Sequence, residues 1–426
     1  MNLRKVKNRG ILNKSINGDR ISFLAGCIVK DELYFSSWHA NGFYKMNLKT
    51  GVCLFLGIFE KETKSRYLHN HAFFFDGSIW FVPTHGGMYI VKIDIETLDQ
   101  IYIKLPENGK AIKNDKNEFF WQFKCCYKDG NSEFWLVPLG YNLLLKVDML
   151  TNEITEYKDI SNELVYEDGK INFSDACLVD NEIWMCPYYS EKLVIFDIVA
   201  KEYKYISRTD FKNGFSMIRN YQNWMIFIPR IQTEVILLIN KDTFEEKEIV
   251  LNSNVKIGNI MYMLADMVNQ FLLLAPFLAN EFIVVNIETE NVQKDLKLHQ
   301  YRQQSGFGSE RYLSSFFYGS KIIYASDVYG DPLMIFDTQT NTTSYMEVRI
   351  DRKKFIKTVN ELLLKNEKEI LRWLSPKEDV IFESRVPLSL YCLYVKAIKD
   401  SNGFYDENSK KTIGEIIFLN SKNNEI

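Results

Sequence analysis

The chain has 426 residues, 46% of them hydrophobic and 25% charged, with a formal net charge of −3 at pH 7. Single hydrophobic cores stop growing at about 250–300 residues, so a chain of this length must divide or repeat. Interspersed charges of both signs leave no basic footprint for nucleic acid, and no apolar run reaches the roughly 18 residues of a membrane-spanning helix.

The segment Met1 to Arg20 is basic and polar and lacks the apolar stretch of a secretory leader. Beyond it a repeat sets in. Aromatic-rich strands close on proline in Trp80-Phe81-Val82-Pro83, Trp135-Leu136-Val137-Pro138 and Trp184-Met185-Cys186-Pro187, all with one W-x-x-P spacing. About a dozen residues after each comes a turn led by Asp. The turn signal covers most of the chain, at Asn47-x-x-Thr50, Asp94-x-x-Thr97, Asp148-x-x-Thr151, Asp197-x-x-Ala200, Asn240-x-x-Thr243, Asn286-x-x-Thr289 and Asp337-x-x-Thr340. Successive starts lie 47, 54, 49, 43, 46 and 51 residues apart. The side-chain oxygen of Asp or Asn accepts hydrogen bonds from amides two or three residues on, which fixes a tight turn between strands.

Two further strands lie upstream of each turn. In the fourth repeat they are Ala176 to Val179 and Glu182 to Cys186, joined at Asp180-Asn181, a pair suited to a type I′ hairpin. Trp224 to Pro229 and Phe271 to Pro276 each carry one extra pair of residues before proline. Four antiparallel strands per repeat make the blade of a propeller. Residues 1–350 are therefore predicted to be all-β, a seven-bladed β-propeller of four-stranded antiparallel blades. Ring closure is expected to use a strand from residues 10–20 paired with the last blade, since an unpaired edge is a liability.

From Asp351 the apolar positions Phe355, Ile356, Val359, Leu362, Leu363 and Ile370 fall mostly at helical spacing. Pro387 opens a second helical stretch reaching Ile398. Residues 351–426 thus read as a small, mainly helical C-terminal extension that packs on the propeller or recruits a partner protein. The seven cysteines are scattered through apolar contexts without a C-x-x-C pair, which reads as reduced thiols in a cytoplasmic protein and disfavours a cysteine zinc site.

The run from W-x-x-P to D-x-x-T resembles the blades of the broad kelch, NHL and virginiamycin-B-lyase-like propeller group, over roughly residues 20–350. The kelch Gly-Gly doublet and the Gly-His and Trp-Asp marks of WD40 repeats do not recur. What the resemblance implies is architecture, because propellers host binding, scaffolding and several enzyme classes. Virginiamycin-type lyases carry a histidine and a Glu-x-His element near a central metal. The nearest pattern here is His69-Asn70-His71, without the glutamate, so that chemistry does not carry over.

Strand order places the second-to-third and fourth-to-first connections on one face of the disc and the D-x-x-T turns on the other. The first, or loop, face receives Trp38, His39, His85, Tyr141, Tyr188, Tyr189 and Arg230 from loops within blades. It receives His69, His71 and Asp175 from connections between blades. Aromatic rings with a polar tip suit sugars or peptides. Arg230 offers a planar fork to a carboxylate or phosphate, with Asp175 as an ion-pair partner across the channel. His69 and His71, spaced i and i+2, fall on the same side of an extended strand. With His85 or His39 they could give a divalent metal three imidazoles and leave a position for water. No Ser-His-Asp signature, Gly-rich phosphate loop or zinc-peptidase helix motif occurs, so no cofactor is assigned. Trp80, Trp135 and Trp184 are expected in blade cores. The expected function is binding of a small polar ligand such as a carbohydrate, or of a protein partner, at the loop face. The alternative is a metal-dependent lyase or hydrolase using His69, His71 and His85.

Overall fold

The computed structural model describes residues 21–37, 41–62, 68–84, 87–106, 123–128, 130–139, 143–157, 173–188, 191–207, 214–230, 235–251, 262–277, 279, 282–294, 312–326, 332–351, 353–355, 357–358 and 361. They form seven sheets, each built on four consecutive antiparallel strands hydrogen-bonded in chain order. The first strands of the blades are Gly26–Val29, His69–Phe75, Phe123–Tyr127, Phe173–Val179, Phe215–Tyr221, Tyr262–Val268 and Tyr312–Tyr318. Each approaches the first strand of both neighbouring blades, and that of blade seven returns to blade one. The first strands are therefore innermost, and the ring closes at seven.

The second strand of each blade is apolar on both faces because blades pack on either side of it. Trp80, Trp135 and Trp184 occupy these strands at 0%, 4% and 0% exposure, in the core as their spacing implied. Pro83, Pro138 and Pro187 end these strands opposite the opening residues His69, Phe123 and Phe173 of the inner strands. There the ladder stops, so the missing N–H is tolerated. Trp224 pairs with Tyr221 at the hairpin, while Ile226 takes the position that Trp80 holds in blade two, which accounts for the extra pair of residues.

All seven D-x-x-T-type turns are built alike. The Oδ1 of Asn47, Asp94, Asp148, Asp197, Asn240, Asn286 or Asp337 accepts the amides two and three residues on. The residue after that is left-handed every time, from Gly51 at φ 69° and Lys201 at 60° to Asn341 at 52°. Between the first two strands of blade four a two-residue loop runs from Val179 to Glu182; Asp180 is left-handed at φ 53° and Asn181 is not, so the turn lacks the second positive φ of a type I′ hairpin.

The last blade draws all four strands from its own run, ending in Thr342–Met346, and residues 10–20 lie outside the described residues. The chain then crosses forward, and Arg349–Ile350 pairs in parallel with Val52 and Cys53 on the outer edge of blade one. Gly51 permits the approach, since a Cβ there would lie 2.2 Å from the Glu347 carbonyl oxygen. Beyond the crossing, residues 353–355 are helical, and Phe355 is fully buried with its ring 5.1 Å from that of Phe55. An edge can be covered from either end of a chain, and here it is covered from the C-terminal side. The helix expected from Pro387 lies outside the described residues. Among the described residues no helix is long and apolar enough to cross a membrane.

Candidate functional site at the central channel

An innermost strand bonds to its blade on one side only, and its other side turns unpaired backbone groups toward the axis. Side chains from the preceding blade fill several of these. Asn70 Nδ2 donates to Phe123 O at 2.5 Å, Ser174 Oγ to Phe215 O at 2.6 Å, and Ser314 Oγ to Leu24 O at 2.9 Å. Asp175 Oδ2 accepts from Ile218 N at 3.2 Å, and Arg219 Nε donates to Ala265 O at 2.5 Å. All five reach from one blade to the next in the same sense around the ring.

The strand openings carry a second shared feature. In blades two, four, five, six and seven the register slips at the start of the innermost strand, between His69 and His71 in blade two and between Phe173 and Asp175 in blade four. A bulge inserts one residue and re-aims the side chains beside it. His69 turns into the interface with blade one, its ring 4.2 Å from Phe59 and 5.2 Å from Phe81. The charges of Lys124, Asp175 and Arg219 act on His71. The i, i+2 geometry expected of a regular strand does not hold here.

Asp175 is the hub of the site. Its Oδ1 lies 2.8 Å from Lys124 Nζ and its Oδ2 2.6 Å from Arg219 Nη1, joining blades three, four and five. Asp266 of blade six accepts from Ser315 Oγ of blade seven at 3.0 Å, and the positive charge of Arg219 acts on it. With His71 from blade two, six consecutive blades contribute to one polar belt around the axis. Asp175 is 2% exposed and Asp266 7%, whereas the Lys124 and Arg219 side chains keep 22% and 25% of their exposure. The carboxylates are sealed and the cations are reachable.

The titration of these groups follows from their neighbours. Burial pushes the Asp175 carboxyl up, but Lys124 and Arg219 outweigh it and hold it at about 2. Asp266 is raised by burial, which Arg219 and hydroxyl hydrogen bonds offset only in part. His71 is lowered to about 3, first by burial and then by the positive charges of Lys124 and Arg219, against the opposing pull of Asp175. It is a neutral imidazole between cations.

Arg230 and Asp175 do not form the pair expected of them. The Arg230 guanidinium stacks 3.7 Å above the Tyr188 ring, and its Nη1 donates to Tyr188 O at 3.3 Å. The physical cause is the close seat of blade four's loop on blade five. A Cβ at Gly214 would lie only 1.9 Å from the Tyr188 carbonyl oxygen. Tyr188 therefore gives one ring face to Arg230 rather than to a ligand. His69, His71 and Asp175 lie within innermost strands rather than in connections. Trp38, His39, His85, Tyr141 and Tyr189 lie outside the described residues. Among the described residues no group of three or more His, Cys, Asp or Glu side chains could hold a metal ion.

Lys124, Arg219 and Asp266 escaped the sequence reading. The available signal was a charge two to five positions into a strand opened by an aromatic, as in Phe123-Lys124, Phe215 to Arg219 and Tyr262 to Asp266. Glu62, on the connection from blade one to blade two, was also missed. It is 5% exposed, accepts Met88 N at 3.3 Å, and burial lifts it to about 7.

No family model and no curated protein matches the sequence. Solved structures match in shape. A streptogramin B lyase superposes with a TM-score of 0.52 at 13% identity, over 73% of this chain and 92% of that one. A catalytically inactive virginiamycin B lyase from Staphylococcus aureus, with quinupristin, gives 0.53 at 14%, over 73% and 93%. The extracellular domain of a one-component system from B. thetaiotaomicron gives 0.50 at 12%, over 76% of this chain and 41% of that one. In fold, this chain is a seven-bladed β-propeller like those of the virginiamycin-B-lyase-like group. At such identities the likeness speaks for fold alone.

Proposed function

We propose that the chain binds a small polar ligand of the carbohydrate class at the belt around its central channel. The observation that supports this reading is the partial exposure of Lys124 and Arg219 beside His71, at groups otherwise withdrawn from solvent. Polar groups converging on an axis suit a compact ligand with many hydrogen-bonding positions. A protein partner would favour a broad face with an apolar centre instead. The lyase or hydrolase alternative is less favoured, because the His69 ring packs between Phe59 and Phe81. A cytoplasmic setting is part of the proposal, supported by six free cysteines among the described residues, including the adjacent pair Cys125 and Cys126.

Saturation-transfer NMR against a panel of neutral and acidic mono- and disaccharides tests the reading. At least one sugar should receive saturation, and the His71→Ala variant should weaken it. A silent panel, or a signal indifferent to that substitution, would overturn it.

A further inference from the structure

At the hub two cations, Lys124 at 2.8 Å and Arg219 at 2.6 Å, share one directly paired carboxylate, Asp175, and the charge of Arg219 also acts on Asp266. The next acid around the ring, Asp266, accepts from Ser315 Oγ. Donor capacity also exceeds what the protein uses. The Lys124 ammonium has three N–H groups and the Arg219 guanidinium five. Arg219 spends Nε on Ala265 O and Nη1 on Asp175 and Ile218 O, while its Nη2 reaches only the Met217 sulfur at 3.9 Å. Both side chains stay partly exposed, at 22% and 25%.

We infer that the ligand carries an anionic group, a carboxylate or a phosphate, seated between Lys124 Nζ and Arg219 Nη2. This rests on the proposed function and narrows it from polar sugars to acidic or phosphorylated ones. Planar guanidinium edges match two-oxygen anions, and an ammonium beside the edge adds a point charge. Asp175 fixes both cations in place, so little ordering remains to be done when the anion arrives.

Isothermal titration of the full chain at pH 7 with glucuronate, glucose and inorganic phosphate tests the inference. Glucuronate should bind about tenfold tighter than glucose, as expected of one charge-assisted contact. That advantage should shrink as salt rises from 20 to about 500 mM, where screening is strong. Lys124→Met should abolish the advantage and Lys124→Arg should restore most of it. Should the methionine variant fail to fold, the salt series on the unaltered protein decides. Phosphate binding that competes with glucuronate would support the inference and make the anion the recognised unit. Equal affinity for glucose and glucuronate would overturn it and leave the polar-ligand reading standing. No binding of any of the three would overturn both.

Discussion

His69 carries two ring nitrogens into a cage of Phe59 and Phe81 where, among the described residues, neither meets a partner. Burial lowers its pKa to about 3. An unfolded histidine titrates near about 6.5. The folded group thus resists protonation, so its contribution to stability is full above pH 6.5 or so and is lost as the pH falls toward 3. The slope is at most about 1.4 kcal/mol per pH unit. Glu62 pulls the other way, because its folded pKa of about 7 makes stability fall as the pH rises through that value. A His69→Phe variant should be more stable at pH 7 by about 1–3 kcal/mol, the cost of leaving buried polar atoms unpaired. Its acid unfolding should also involve one fewer proton between pH 6.5 and 3. Urea titrations at half-unit pH steps measure both, and an unchanged pH slope would refute the account. The i, i+2 spacing of His69 and His71 was plain in the sequence. The bulge that separates them was not, because it depends on pairing with Val82 and Pro83.

The repeated turn shows what an element-scale signal can carry. Asp or Asn at the first position was legible because its hydrogen bonds are local, and all seven sites make them as expected. The left-handed residue that follows was not read, because six of the seven positions are not glycine. A non-glycine residue in that conformation costs roughly 1 kcal/mol. Lys201 is exposed, holds φ 60° and makes no ion pair among the described residues, so Lys201→Gly should raise stability by about 0.5–1 kcal/mol. Gly51→Ala should do the reverse and more strongly, since its Cβ would meet Glu347 O at 2.2 Å. Thermal unfolding of both variants checks the pair, and equal shifts in one direction would contradict the argument.

At the scale of the whole molecule, the seam between blades seven and one is held by contacts made after the last repeat. Phe355 packs with Phe55, Ile350 and Val348 in a core that also holds Phe316 and Ile323 of blade seven. The opening of the C-terminal extension therefore belongs to the ring's core. Phe355→Ala should lower unfolding free energy by about 3–5 kcal/mol, as removal of a buried aromatic does. Lys357→Ala, at an exposed position two residues on, should change it by less than about 0.5 kcal/mol. Chemical denaturation distinguishes the two, and a small loss at Phe355 would mean that the seam does not depend on the extension.

The sequence alone determined the class of fold, the number of blades, the tryptophan core and the chemistry of the turns. Each of these rests on strand period or on hydrogen bonds within a few residues, which recur with the repeat. The polar belt was decided by tertiary structure. Lys124, Asp175, Arg219 and Asp266 are separated by 51, 44 and 47 residues in the chain, and only ring closure brings one from each blade to the axis. The same holds for Arg230, whose fork found the Tyr188 ring because the blade-four loop seats on Gly214. Side-chain pairing across blades depends on which neighbour a strand faces. In this chain a one-residue bulge sets that choice, and no short-range pattern announces it.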